Sequence, residues 1–306
     1  MTEPWKDRLK RIQCIKVLFD EPMAHHTSIG VGGKADALIF PEQAEALRKI
    51  IACLKEFGIP FLPVGNGTNL IVRDGGFRGA IIVLRNLKAL KVLSRQGREV
   101  DICAEAGVSL ADVVSLTLSE GLEGMEFCAG IPGSVGGAVR MNAGAYGREM
   151  KDILTSVSFI NGSGTVRSIP KEQLRFEYRN LELPGETFIV SALFRLHRGD
   201  RNRIEEKVSD ILKTRWSKHP LQFRNAGSIF KNPARIPAGK LIEEAGLKGL
   251  RVGDAEVSSM HGNFIVNLGH AKARDILALI EEVQKRVLET KGISLETEVK
   301  VIGEDG

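Results

Sequence analysis

Gly130, Gly133, Gly136, Gly137, Gly144 and Gly147 crowd one stretch, which reads Gly130-Ile131-Pro132-Gly133-Ser134-Val135-Gly136-Gly137 and soon after Met141-Asn142-Ala143-Gly144-Ala145-Tyr146-Gly147. Glycine lets backbone approach a bulky ligand and adopt positive φ. This density between apolar segments therefore suggests main-chain N–H groups that cradle a nucleotide pyrophosphate. A second such loop, Pro63-Val64-Gly65-Asn66-Gly67-Thr68-Asn69-Leu70-Ile71-Val72, runs from one expected strand through small hydrogen-bonding residues into another. Neither loop leads into the Gly-Lys-Ser/Thr of a P-loop, which disfavours an ATPase; backbone donors without a lysine suit a diphosphate that is held rather than cleaved. Taken singly, each loop reads equally well as a tight turn between strands.

Gly30-Val31-Gly32-Gly33-Lys34-Ala35 satisfies the dinucleotide fingerprint G-x-G-x-x-A on paper. A Rossmann site needs a buried strand before the glycines and a helix after them. Here His25-His26-Thr27 precedes and strand-like Ala37-Leu38-Ile39-Phe40 follows, so the fingerprint is set aside.

The elements that must position these loops follow from periodicity. Ala44, Leu47, Ile51 and Leu54 recur at helical spacing over 41–58, and strands are expected at 61–64, 70–72 and 80–84. A new unit opens near Leu90 with a strand at 100–106 and a helix over 109–120 closed by Gly121. Strands at 153–160 and 188–196 bracket the turn Asn161-Gly162-Ser163-Gly164. Beyond a boundary near Gly199-Asp200, helices are expected to about Trp216, over 240–245 and over 271–290. Strands are expected near Glu256, at 264–267 and at 295–302.

The chain has 306 residues, enough for an ample core, and its 43% apolar and 26% charged content is that of an ordinary globular protein. A net charge of +5, with Lys and Arg scattered, gives little reason to expect nucleic acid as a partner. Cys14, Cys53, Cys103 and Cys128 show no zinc spacing and read as reduced thiols, three of them in apolar surroundings. His25, His26 and His261 likewise lack a ligand spacing, so no metal is expected. The first residues have no apolar h-region and no run approaches a membrane span; a cytoplasmic protein is expected.

Six segments occur in order: Thr27-Ser28-Ile29-Gly30-Val31-Gly32-Gly33-Lys34-Ala35-Asp36, Gly65-Asn66-Gly67-Thr68-Asn69-Leu70, the stretch 130–147, Tyr178-Arg179, Gly227-Ser228-Ile229-Phe230-Lys231-Asn232-Pro233, and Leu295-Glu296-Thr297-Glu298-Val299. Together they resemble the UDP-N-acetylenolpyruvoylglucosamine reductases, flavoenzymes that complete UDP-N-acetylmuramate in bacterial cell-wall synthesis. The likeness spans nearly the whole chain. It implies an α+β protein with a two-lobed FAD-binding domain of the vanillyl-alcohol-oxidase-like type (lobes 1–86 and 87–199). An α+β substrate-binding domain comes next (200–306), whose last strand is free to pack back on the FAD lobes. FAD is the implied cofactor and NADPH the reductant. On this mapping Gly65, Asn66, Gly67, Thr68, Asn69, Leu70, Gly130, Ile131, Pro132, Gly133, Ser134, Gly136 and Gly137 wrap the FAD pyrophosphate and adenosine, while Asn142 and Ala143 approach the flavin.

The family's reaction adds hydride to the terminal methylene of an enolpyruvyl ether and a proton to the adjacent carbon; NADPH first reduces FAD, leaves, and is replaced by substrate. By resemblance Ser228 is the proton donor, and a hydroxyl can serve because a developing carboxylate enolate is a strong base. Arg179 matches a second catalytic position, where its planar fork grips the enolpyruvyl carboxylate more tightly as charge accumulates. Glu298 matches the third and works by hydrogen bonding, either as a neutral acid on the carboxylate or by orienting the donor. Glu296 alternates with Glu298 on one expected strand face and is the natural misassignment. Lys218, Asn232 and Tyr178 are the implied substrate contacts, the first two at the UDP diphosphate. Without the resemblance, Ser228 reads as a strand-edge hydrogen-bonder, and Arg179, Glu298 and Lys218 as solvated surface groups.

Asn180-Leu181-Glu182 succeeds Tyr178-Arg179 where many relatives have serine, so the turn around Arg179 is open to difference. Both tyrosines, Tyr146 and Tyr178, precede the segment where the family's long form carries a lid tyrosine; this chain reads as the short form. The partner expected is a small UDP-sugar enolpyruvyl ether, taken up by a monomer without membrane. Two competing readings remain: an alcohol or sugar oxidase on the same FAD scaffold, and a non-enzymatic nucleotide- or RNA-binding protein, as pI 9.0 and the glycine loops allow.

Overall fold

The computed structural model describes residues 3–184 and 186–306, and the chain divides into two compact units. One gathers residues 1–19, 37–66 and 79–213; the other gathers 20–36, 67–78 and 214–306. Two segments of the expected first lobe, 20–36 and 67–78, thus fold with the C-terminal residues.

The first unit is built on an antiparallel sheet of order Val166–Pro170, Leu154–Ile160, Phe188–Arg198, Glu99–Glu105, Leu90–Gln96, with Leu122–Glu123 paired to the end of Phe188–Arg198. Along the central strand Val190, Ala192, Phe194 and Leu196 are buried at period two, as a sheet with one covered face requires. Helix Leu110–Glu120 starts where Ser109 Oγ accepts a 3.0 Å hydrogen bond from the Asp112 amide, and ends at Gly121 in the left-handed region (φ 65). Its Leu110 and Val113 join Val100, Ile102, Phe194 and Leu196 in one core. A second core lies under helix Ala44–Glu56, where Leu47, Ile50 and Leu54 meet Trp5, Ile82 and Phe188. Phe61–Val64 pairs in parallel with residues 80–83, at one edge of the sheet Ile15–Pro22, Lys34–Pro41, Phe77–Val83, Phe61–Val64.

Within 130–147 lies an element the composition hides, helix Val135–Arg140. Gly136 and Gly137 each weaken a helix by about 1 kcal/mol relative to alanine. Packing explains one of them: a Cβ on Gly136 would stand 2.8 Å from the Ala106 methyl.

The second unit carries an antiparallel sheet of order Arg224–Ser228, Phe264–Asn267, Ala255–Val257, Arg251–Val252. Helix Ala273–Lys291 buries Ile276, Leu279, Ile280, Val283 and Val287 in the core shared with Ile29, Ile71, Phe230 and Leu241. The Asp74 carboxylate caps this helix from a distant loop, accepting from the amides of Ala273 (2.9 Å) and Arg274 (3.0 Å). Leu70–Val72 pairs in parallel with Lys300–Ile302.

The expected strand 295–302 is corrected. Only Lys300–Ile302 is a regular strand, and Thr297 makes a single bridge with Phe230. Regular alternation therefore does not place Glu296 and Glu298 on a common face. The four cysteines are free thiols, Cys53 and Cys128 buried and Cys14 exposed. Among the described residues no helix is long and apolar enough to cross a membrane.

Candidate functional site

In the first unit the two glycine loops meet. A Cβ built on Gly65 would lie 3.0 Å from Ser134 Oγ, a tight contact with a side chain, and 3.7 Å from the Gly137 Cα, an ordinary one, which puts the two loops side by side. Ser134 is buried and bridges to Ser109, while the amides of Val135 and Gly136 bond to the carbonyls of Val108 and Ala106, both at 2.9 Å. Gly130 (φ 70) and Gly133 (φ 149) occupy the region that favours glycine, and Pro132 is exposed between them. The amides of Val135 and Gly136 are thus spent within the protein, and what this cradle of small residues offers a diphosphate is close approach to the backbone at its glycines. Asn66 is exposed beside it.

The rest of the first loop belongs to the second unit. Gly67 is buried at φ 65 with its carbonyl accepting from the Ser28 amide at 3.0 Å, and a side chain there would collide with the His26 carbonyl. Thr68 is half-buried, and Leu70 turns into the strand that pairs with Lys300. Asn69 Nδ2 donates to the Glu298 carbonyl at 3.2 Å.

Asn142, expected near the flavin, is held from several sides. It has no exposed surface; Nδ2 donates to Glu149 Oε2 and to the Glu177 carbonyl, and Oδ1 accepts from the Lys151 amide, all at 3.1 Å. Both amide hydrogens and one lone pair of its side chain are thus committed to crosslinks within the protein. Ala143 and Ile131 are half-buried and pack against the core of this unit. Tyr178 and Arg179 form the two-residue turn of a hairpin between Arg175–Glu177 and Asn180–Glu182. Arg179 has φ 58 and sets its guanidinium 4.9 Å from the centre of the exposed Tyr178 ring.

In the second unit Ser228 ends a strand broken by a bulge. Asn225 pairs with Val266 and Ser228 with Phe264, leaving one extra residue, and Gly227 takes φ 74 to absorb it. Asn225 Oδ1 accepts from the Gly227 amide at 2.9 Å and holds the kink. Buried Asn263 fixes the backbone just beyond the bulge, accepting from the Phe230 amide (2.9 Å) and donating to the Phe230 carbonyl (2.8 Å). The Glu298 amide donates to the Ile229 carbonyl at 2.7 Å, which brings half-buried Glu298 beside half-buried Ser228. Glu296 is exposed and pairs with Lys231 at 2.5 Å.

Lys218 closes helix Arg201–Lys218 and is exposed. Asn232 is exposed as well, but its Oδ1 already accepts from the Ala238 amide at 3.0 Å, leaving its amide nitrogen to offer. Next to Lys218, the His219 ring packs 4.9 Å from Phe264 and 5.5 Å from His261. Burial, then the charges of Arg215, His261 and Lys218, lower its pKa from 6.5 to about 4.

The sequence reading missed the supports: Asn263, Asn267, Asp74, and Ser28 as a crosslink whose Oγ donates to the Asn225 carbonyl at 2.6 Å. Asn267 Nδ2 donates to the Ile29 carbonyl at 2.9 Å. The available signal was a short polar residue at each end of the apolar run Phe264-Ile265-Val266.

Family comparison ties these parts together. Residues 35–169 match the model of an FAD binding domain, and residues 219–302 match that of the UDP-N-acetylenolpyruvoylglucosamine reductase C-terminal domain. The UDP-N-acetylenolpyruvoylglucosamine reductase of Syntrophus aciditrophicus is 55% identical over 98% of this chain and 96% of its own length. The chain belongs to the UDP-N-acetylenolpyruvoylglucosamine reductase family. The Alkaliphilus oremlandii reductase is 44% identical over 94% of each chain. The crystal structure of the Thermus caldophilus reductase superposes with a TM-score of 0.79 at 34% identity, covering 94% of this chain and 98% of that one. Both family models fall on segments that carry the features described: the first spans the two glycine loops, the second the Ser228 bulge and Glu298.

Proposed function

We propose that this reductase converts UDP-N-acetylglucosamine enolpyruvate to UDP-N-acetylmuramate, with FAD as cofactor and NADPH as reductant, in peptidoglycan precursor synthesis. The observation that carries the reading is the glycine bulge before Ser228 with Glu298 bonded to the adjoining peptide, in a chain that matches the family end to end. Bound FAD supplies the electron pair that NADPH replenishes. Its diphosphate would lie on Gly65, Ser134, Gly136 and Gly137, with 66–70, 130–133, Asn142 and Ala143 around the rest.

Ser228 Oγ gives its proton to the carbon that bears the ether oxygen and the carboxylate, and recovers one from solvent. Arg179 grips the carboxylate, and its pull strengthens as that group takes on enolate charge. Glu298 hydrogen-bonds either the carboxylate or the donor hydroxyl. Lys218, Asn232 and Tyr178 hold the UDP portion. We assign 1–86 and 87–199 to the cofactor and 200–306 to the substrate, and place the enzyme in the cytoplasm as a monomer.

Turnover in deuterium oxide tests the reading. Product carrying one deuterium on the carbon that bears the ether oxygen supports an exchangeable donor such as the Ser228 hydroxyl. Product without it contradicts that role.

A further inference from the structure

Arg179 sits at the tip of its hairpin in a backbone region that L-residues other than asparagine and aspartate rarely adopt, which costs about 1–2 kcal/mol. Something outside the two-residue turn must hold it. On one strand, Asn142 Nδ2 donates to the Glu177 carbonyl, the residue just before the turn. On the other, the Arg140 guanidinium donates to Asn180 Oδ1 at 3.3 Å and to the Leu181 carbonyl, just after the turn. Glu177 and Asn180 are the register pair that closes the hairpin, so both of its legs are gripped at the level where the turn begins.

The two grips come from one place. Arg140 is the last residue of helix Val135–Arg140 and Asn142 lies two residues beyond it. Asn142 is itself at φ 42 and anchored by Glu149 and by the Lys151 amide, so it is a fixed point rather than a passive neighbour. The opposite end of this helix carries Gly136 and Gly137 of the glycine cradle.

We infer that Arg140 and Asn142 are positioning residues that set the pose of Arg179 toward the substrate carboxylate while touching no substrate themselves. The inference rests on the reaction proposed above. The reach and direction of a guanidinium are set first by the backbone that carries it, and a misplacement of about 1 Å is enough to slow a step by about a hundredfold. Crosslinks on both legs of a two-residue turn remove that freedom at the backbone.

The test is a mutant cycle on FAD-loaded protein with Arg140→Ala, Asn142→Ala and Arg179→Ala, singly and in pairs. Flavin absorbance tracks reduction by NADPH and then reoxidation by UDP-N-acetylglucosamine enolpyruvate. Arg140→Ala and Asn142→Ala are each expected to slow reoxidation by about tenfold to a hundredfold, with Arg140→Ala leaving reduction unchanged. In the Arg179→Ala background neither should slow it further. Arg140→Lys, which keeps a donor for the Leu181 carbonyl, should recover most of the rate. Slowing of both half-reactions in Arg140→Ala, or the same slowing without Arg179, overturns the inference. Should Asn142→Ala fail to fold, the exposed Arg140 carries the cycle alone. Wild-type protein that this substrate does not reoxidise overturns the reaction, and the inference with it.

Discussion

The backbone amide of Glu298 donates to the carbonyl of Ile229 at 2.7 Å, which joins the C-terminal segment to the peptide just after Ser228. Two residues far apart in sequence, each unremarkable alone, are thereby brought within one peptide of each other. Replacing Ser228 by alanine removes a hydroxyl and leaves this bond intact. In Ser228→Ala, NADPH should reduce the flavin at the normal rate while reoxidation by substrate slows by about 10²–10⁴-fold. Rapid mixing that monitors each half-reaction checks it; equal slowing of both would remove Ser228 from its role.

Glu296 and Glu298 separate by environment. Glu296 is an exposed partner of Lys231, so Glu296→Gln should change stability by less than about 0.5 kcal/mol and leave turnover near wild type. Glu298→Gln should lower kcat with a smaller effect on KM, because its hydrogen bond is needed most where charge accumulates. Steady-state kinetics of the two variants decide which carboxylate acts.

Two adjacent glycines of one helix have different reasons for being glycine. Gly136 abuts Ala106, so Gly136→Ala should destabilise the protein by about 1–3 kcal/mol with or without cofactor. At Gly137 a new Cβ meets only Ser134 Oγ at 3.7 Å, an ordinary contact, so the apoprotein should melt no lower than wild type. FAD affinity should nevertheless fall in Gly137→Ala, since the added methyl intrudes on the cradle. Thermal melts of apoprotein paired with FAD titrations check both; wild-type FAD affinity in Gly137→Ala would move the diphosphate elsewhere.

Asp74 caps a long helix from a segment remote in sequence. Asp74→Ala should lower stability by about 1 kcal/mol, read from the urea midpoint, without altering either half-reaction.

His219 makes the fold sensitive to mild acid. The unfolded chain takes up a proton there near pH 6.5, whereas the folded chain resists until about pH 4, so acid favours unfolding across that window and stability rises with pH through it. His219→Gln should flatten the dependence of the urea midpoint between pH 7 and about 4. An unchanged slope would contradict the buried neutral imidazole.

Periodicity made most of the helices and central strands legible: helix Leu110–Glu120 has its serine cap and closing glycine written in the sequence, and Phe264–Asn267 is a plain apolar run. Helix Val135–Arg140 was not legible, because its glycines answer to tertiary contact with Ala106 rather than to helix propensity. The C-terminal segment misled in the opposite sense: its alternation suggests a long strand, but one isolated bridge, in which the Glu298 amide donates to the Ile229 carbonyl and the Lys231 amide to the Glu296 carbonyl, replaces a ladder before Lys300. Ser228, Arg179 and Glu298 were legible only through the family motif. Asn142 was legible as part of the same motif, but not its crosslinks to the Glu149 carboxylate, the Glu177 carbonyl and the Lys151 amide, which no linear pattern encodes. Asp74 acts across the fold and left no local trace, while Asn263 left only its place at the end of an apolar run.

The most direct test of the central claim is a spectrum taken without oxygen. The purified protein should be yellow, should bleach on one equivalent of NADPH, and should regain its colour on adding UDP-N-acetylglucosamine enolpyruvate, with UDP-N-acetylmuramate as product. Colourless protein, or a bleached flavin that this substrate leaves bleached, would contradict it.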